Sequence, residues 1–202
     1  MRGEVMRTGY LTPEQYLEIE EKADFKSEYW NGQMYARAGG TPRHSDAASG
    51  LLVALRTRLK GKGCGVFNSD LRIRDNPKGL YTYPDVAIVC GEPLLGPGHT
   101  LTNPIALFEV LSPSTEARDR GFKFEQYQLI ESLREYVLVS QEKPRVESFF
   151  HTAQESWVYH AVEGFEAAVS IQCVGIEVPL AEIYDGITFR DWFPPTSPAP
   201  AV

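Results

Sequence analysis

Apolar and polar positions change period several times along the chain, and each change marks an element. Thr12-Pro13-Glu14-Gln15 reads as a helix start: Thr as N-cap, Pro at the first helical position, Gln three residues after the cap. That helix carries Tyr16, Leu17 and Glu20 and is expected to end near Lys22–Asp24. Lys26–Tyr29 and Gln33–Ala38 flank Asn31-Gly32, a strong two-residue hairpin signal. Thr41-Pro42 repeats the helix start. Behind it Ala48, Leu51, Leu52, Leu55 and Leu59 recur at helical spacing until Gly61 and Gly63 end the run. From Gly65 to Asp75 the pattern is strand-like but out of register with itself, which predicts a bulge near Ser69–Asp70.

Tyr83–Cys90 and Ile105–Leu111 are short apolar runs bounded by turn residues, as expected of central strands covered on both faces. Ser112–Thr115 punctuates the second, and a helix follows from Glu116 or Asp119 to Ile130. Glu135–Ser140, Arg145–His151, Trp157–Val162 and Ala168–Val174 read as strands, the last three as a meander. Gly186–Phe193 closes the fold, and the Pro-rich Pro194–Val202 reads as a disordered tail. There is no internal repeat. Early helices, a central sheet and late strands indicate an α+β or mixed α/β domain.

Composition adds limits. With 202 residues, 43% hydrophobic and 11% aromatic, the chain suits one globular domain with a real core. Cys64, Cys90 and Cys173 are odd in number and scattered, which argues against a disulfide framework and a structural zinc site. His44, His99, His151 and His160 form no helical pair, so the ligands of any bound metal are expected to be oxygens. No apolar signal or membrane-length stretch is visible, so a cytoplasmic protein without membrane association is expected. A net charge of −7 disfavours nucleic acid as a partner, unless carboxylates that hold divalent cations account for part of it.

Candidate chemistry begins with Glu109, inside the otherwise apolar Ile105–Leu111 run. An idle ionised carboxylate there costs several kcal/mol, roughly, so it needs a partner or a proton. The bland alternative is an edge strand with Glu109 facing solvent. Asp85 stands where Tyr83-Pro84 feeds the other apolar run, and alone it reads equally well as a turn-former. Two such carboxylates on neighbouring strands can converge on one hard cation. Asp119, Lys123 and Tyr127 are spaced i, i+4, i+8 and share a helix face. By itself that is an ordinary solvated face, but this helix follows the Glu109 strand directly and can fold back over the carboxylate.

These residues also carry a resemblance. The strings SEYWNGQMYARAGGTPRHS, YTYPDVAIVCGEP, NPIALFEVLSPSTEARDRGFKFEQY and LREYVLV resemble the Uma2 family (DUF820), a bacterial branch of the PD-(D/E)xK nuclease superfamily. The likeness runs from Leu11 to Asp191. It implies a single restriction-endonuclease-like domain over 11–191, with flexible termini at 1–10 and 194–202. The implied fold is a central mixed sheet flanked by helices, with additional antiparallel strands in the C-terminal half. It further implies that Asp85, Glu109 and the Val110 carbonyl ligate Mg²⁺ or Mn²⁺, that Lys123 is the catalytic lysine, and that Glu28 is an accessory ligand. One departure stands out: the superfamily lysine normally lies two residues after the acid, where this chain has Leu111. In Uma2-like sequences it has moved to the following helix.

The implied function is metal-dependent hydrolysis of nucleic-acid phosphodiesters, with DNA the expected substrate and a homodimer suggested by analogy with a duplex cut on both strands. Two rivals remain: a non-catalytic nucleic-acid- or protein-binding module on the same fold, and a phosphoesterase acting on a small nucleotide. Among lesser candidates, Asp70 can face the cleft with Arg72 and Arg74 meeting phosphates, although a solvated sheet face is the commoner arrangement. His44 can line a pocket, but packing or exposure is the ordinary state of a lone His. Ser112 and Ser114 lack a nucleophile elbow and read better as caps of the following helix.

Overall fold

In the computed structural model, which describes residues 9–37, 39–76 and 79–189, both Thr-Pro signals open helices. Ahead of α1 (Pro13–Glu20), Thr12 Oγ1 accepts from the Gln15 N–H at 3.3 Å and Gln15 Oε1 accepts from the Thr12 N–H at 2.9 Å. This reciprocal box satisfies two otherwise orphaned donors. The helix stops short of Lys22–Asp24, at Glu20, whose buried carboxylate accepts from the Ser27 N–H at 2.9 Å and the Tyr83 hydroxyl at 2.7 Å. Strands β1 (Ser27–Trp30) and β2 (Gln33–Ala36) form the expected hairpin, with positive φ at both Asn31 (46°) and Gly32 (81°). Ala38, the expected end of β2, lies outside the described residues. Helix α2 (Pro42–Leu59) is capped by Thr41 and buries Ala47, Leu51, Ala54, Leu55 and Leu59.

The bulge expected at Ser69–Asp70 is a turn. It separates β3 (Cys64–Asn68) from β4 (Ile73–Arg74), and the two strands belong to different sheets. That explains why the segment reads out of register with itself: Val66 serves one core and Ile73 another. After β5 (Tyr81–Thr82) come β6 (Val86–Cys90), β7 (Leu95–Gly96), β8 (Thr100–Leu101) and β9 (Ala106–Leu111). The next helical segment is a composite of α3 (Glu116–Arg118), a π-helical stretch (Asp119–Lys123) and α4 (Phe124–Tyr127). The remaining elements are β10 (Glu135–Ser140), β11 (Arg145–His151), β12 (Trp157–Glu163), β13 (Ala168–Ile171), β14 (Ile176–Pro179) and α5 (Leu180–Ile183).

The central sheet has the order β12-β11-β10-β9-β6-β3. Its single parallel pair is β9–β10, joined by the composite helix as a crossover. A second sheet, β2-β1-β5-β4-β8-β7, lies against it. The meander expected over the last three strands is instead β10-β11-β12. The chain leaves the sheet after β12, and β13 pairs with β14 in a separate hairpin. Residues beyond 189, including the expected tail, lie outside the described residues.

The cysteine reading needs correction as well. Antiparallel pairing of β3 with β6 sets Cys64 directly opposite Cys90, and the two form a disulfide, leaving Cys173 as the free thiol. Separation along the chain carries no information about a cross-strand register. Among the described residues, no helix is long and apolar enough to cross a membrane.

The central sheet is covered on both faces. Ala106, Phe108 and Val110 of β9 pack with α2, α5 and the β13–β14 hairpin, whereas Leu107 and Leu111 pack with Tyr127, Tyr136 and Leu138 on the other side. A third cluster of Tyr16, Tyr29 and Tyr81 fastens α1 to the second sheet.

Candidate functional site

Strand alternation decides where Glu109 points: it shares a face with Leu107 and Leu111, toward the composite helix. The residue is 4% exposed and lies in a central strand, so the edge-strand alternative fails. Lys123 Nζ donates to Glu109 Oε1 at 3.0 Å and the Tyr127 hydroxyl donates to the same oxygen at 2.7 Å. Burial, opposed by Lys123 and reinforced by the negative charges of Asp119 and Asp85, holds the Glu109 carboxyl well above the usual range.

The helix delivers its residues through the π stretch. Asp119 (2% exposed), Lys123 (6%) and Tyr127 (0%) all face inward, and the Asp119 carbonyl accepts a hydrogen bond from the Tyr136 hydroxyl at 3.0 Å. Such π stretches recur at functional sites because they re-aim side chains within a helix. Lys123 Nζ lies 3.2 Å from Asp119 Oδ1 and 3.4 Å from Glu28 Oε1. Burial works against its charge, yet Glu109, Glu28 and Asp119 together hold its pKa above the ordinary lysine value.

Glu28 is no exposed turn residue. It comes from β1 in the second sheet, is 6% exposed, and accepts from the Thr82 hydroxyl while pairing with Arg118 at 2.9 Å. Burial pushes its carboxyl up, but Lys123 and Arg118 outweigh that and hold it below the usual range.

Asp85 precedes β6 and is 7% exposed. Its Oδ2 accepts from the Val110 N–H at 2.8 Å and lies 3.2 Å from His44 Nε2, and its Oδ1 accepts from Arg37 at 3.0 Å. Burial alone raises its pKa, whereas the His44 contact, the Val110 N–H and Arg37 together hold it below the usual carboxylate range. The hydrogen bond to Asp85 in turn raises His44 above the ordinary histidine value. Since a strand residue sends its N–H and C=O to the same side, the Val110 carbonyl emerges on the edge that Asp85 occupies.

These groups line one cleft of about 840 Å³, between the first turns of α2, the end of β9 and the composite helix. The structure therefore brings together Asp85, Glu109, Val110, Lys123, Glu28, Asp119 and His44, with Tyr127 beneath them. His44 is neither a packing nor a surface residue. Asp70 does not line the cleft: its side chain is 76% exposed, although it pairs with Lys26, which does. Arg72 is tied to Thr100, Tyr83 and Gly98, and Arg74 lies by Gly96, so neither reaches the cleft. Ser112 and Ser114 line the cleft but cap nothing through a hydroxyl; Ser112 Oγ bonds Ser114 and Thr115 hydroxyls at 3.1 and 2.9 Å. Three cations that sequence reasoning passes over, Lys26, Arg37 and Arg118, also line the cleft. No periodicity marks them: Lys26 and Arg37 flank the β1–β2 hairpin, and Arg118 ends α3.

Two buried carboxylates with a strand carbonyl beside them, and further negative charge within reach, suit a hard divalent cation. Such an ion takes one or two protein carboxylates and fills its remaining positions with water and phosphate. Among the described residues no group of three His, Cys, Asp or Glu side chains is placed to hold a metal on its own.

Comparison with known proteins bears on the family and the fold. Residues 13–181 match the Uma2 family, described as "Putative restriction endonuclease". Two proteins of Synechocystis sp. are similar over most of their length. "Uncharacterized protein slr1290" is 35% identical, covering 89% of this chain and 94% of that one. "Uncharacterized protein sll1609" is 31% identical, covering 85% and 98%. Among solved structures, a "putative nuclease" of DUF820 from Anabaena variabilis superposes with a TM-score of 0.70 at 14% identity, covering 86% of this chain and 97% of that one. The fold is thus nuclease-like, a mixed α+β arrangement of sheets flanked by helices.

Proposed function

Because the chain belongs to the Uma2 family, we propose that it is a metal-dependent nuclease hydrolysing phosphodiester bonds of nucleic acid, DNA first among them. The observation that carries this reading is the 3.0 Å contact between Lys123 and Glu109. A lysine arriving from the helix meets the strand acid inside the cleft that also holds Asp85. That contact supports a reading in which the helix lysine takes the part of the superfamily lysine that position 111 lacks.

Asp85, Glu109 and the Val110 carbonyl are the residues that would hold Mg²⁺ or Mn²⁺. Bound there, the ion supplies Lewis acidity toward a phosphoryl oxygen and lowers the pKa of water. The chain's own residues do the rest. The Val110 N–H fixes the Asp85 carboxylate, and Tyr127 fixes Oε1 of Glu109. Lys123 offsets the negative charge of Glu109 and Glu28, and its ammonium would offset charge developing on a phosphate bound in the cleft. Arg37 and His44 balance Asp85.

The test pairs Asp85→Asn and Glu109→Gln with wild type in two assays: Mn²⁺-dependent cleavage of labelled DNA and calorimetric Mn²⁺ titration. Both variants are expected to fold, to lose cleavage and to bind Mn²⁺ more weakly. Full activity in either variant, or in excess chelator, refutes the proposal. A second reading, a binding module, draws on the cationic partner that Glu28, Asp85 and Glu109 each already have. It is favoured if wild type takes up no Mn²⁺ while still binding nucleic acid.

A further inference from the structure

We infer that this site acts on single-stranded nucleic acid and not on a duplex, an inference that rests on the nuclease reading above. Three observations support it.

The first is size and depth. The cleft holds about 840 Å³, within the roughly 300–1,000 Å³ of pockets that enclose a small organic ligand. At its floor Asp85, Glu109 and Lys123 are only 4–7% exposed. A duplex presents its phosphates on a broad convex surface, and each is held in place by stacked, paired neighbours. A single strand can bend one phosphate inward and carry its flanking bases with it.

The second is charge. Lys26, Arg37, Arg118 and Lys123 line the cleft together with Glu28, Asp85, Glu109 and Asp119, four formal charges of each sign, and His44 stands beside Asp85. The chain's net charge of −7 therefore resides elsewhere on the molecule. Each lining cation is also already paired: Lys26 with Asp70, Arg37 with Asp85, Arg118 with Glu28 and Lys123 with Glu109. Duplex binders gain affinity by neutralising many phosphates, roughly 6–10, with free Lys and Arg. A divalent ion held there would add two positive charges to a lining whose own cations are already paired, enough for the scissile phosphate and a neighbour but not for the many phosphates of a duplex.

The third is a guanidinium plane on one wall, backed by two rings that do not themselves line the cleft. The Arg118 guanidinium lies over the rings of Tyr35 and Phe122, 5.3 and 5.5 Å from their centroids, and Arg118 itself lines the cleft. Unpaired bases stack on aromatic and guanidinium planes whatever their sequence, whereas a paired base has both faces occupied.

The experiment compares three labelled DNA substrates of one sequence in Mn²⁺: a single strand, a blunt duplex, and a duplex with a single-stranded overhang. Fluorescence anisotropy of the strand and the duplex runs in parallel. Single-strand cleavage is expected to exceed duplex cleavage by roughly tenfold or more, with cuts in the third substrate confined to the overhang. The strand should also bind more tightly than the duplex, with a shallow dependence on salt. A duplex that is cut as fast as the strand, or bound as tightly, overturns the inference while leaving the nuclease reading intact. If nothing is cut, the nuclease reading fails, and anisotropy still decides the preference for single strands.

Discussion

Removing the Lys123 ammonium tests the electrostatics of the cleft directly. Its Nζ lies 3.0, 3.2 and 3.4 Å from Glu109, Asp119 and Glu28, and the residue is 6% exposed. Lys123→Met keeps most of the volume and leaves buried carboxylates without their shared cation. Breaking a buried pair from one side costs about 3–5 kcal/mol. At about 2–4 °C per kcal/mol for a domain of this size, the melting temperature should fall by roughly 6–20 °C. The sign with pH follows from Glu109, whose folded-state pKa lies above its unfolded value. Its contribution is fully present below the unfolded pKa and is lost as pH rises, so the deficit of the variant should be larger near about pH 8.5 than near about pH 5.5. If Asp85 and Glu109 hold a divalent ion, Mn²⁺ should raise the melting temperature of Lys123→Met more than that of wild type, because the ion replaces the missing charge. Differential scanning calorimetry at both pH values, with and without Mn²⁺, reads all three effects. A variant as stable as wild type, or a deficit that grows on acidification, would refute the reasoning.

Two further outcomes can be checked in the same instrument. Glu135 is fully buried, with Oε2 accepting from the Cys173 N–H at 3.0 Å and Oε1 without a hydrogen-bond partner among the described residues, and burial lifts its pKa to about 7. Because that raised value favours the protonated fold, stability should fall as pH rises through about 7, by a few kcal/mol, roughly. Glu135→Gln should flatten that slope, and an unchanged slope would count against it. Reducing the Cys64–Cys90 disulfide, whose cysteines stand 26 residues apart, should cost roughly 3 kcal/mol; Cys64→Ser should match the reduced wild type and respond no further to reductant.

What could be read in the sequence was mostly local. The Thr-Pro starts and the Asn31-Gly32 turn act within a few residues, so α1, α2 and the first hairpin were legible. Glu109 was legible because it violates its own surroundings: no periodicity excuses a carboxylate in that run, and the partner it demands exists. Glu28 and His44 violate nothing locally. Each looks ordinary until β1 is laid against the end of β9 and α2 against Asp85, which is a fact about tertiary structure. Cys64 and Cys90 failed for the same reason, since register between β3 and β6 is set across the sheet. Asp70 misled because the strand it was assigned to ends at Asn68, and the turn that follows leaves its side chain exposed. Strands β4, β5, β7 and β8 are two residues long, below the length at which alternation can be seen.

The reach of Lys123 between Glu28 on one sheet and Glu109 on the other has a historical consequence. One side chain is both a candidate participant in chemistry and a clasp between two layers of the protein. A lineage that gave up hydrolysis could not shed Lys123 alone without leaving buried negative charge behind. It would have to exchange the lysine and its carboxylates together for apolar residues, or keep them all. Relatives without activity should therefore fall into two groups, those with the whole cluster and those with none of it, and chains holding a fragment should be scarce.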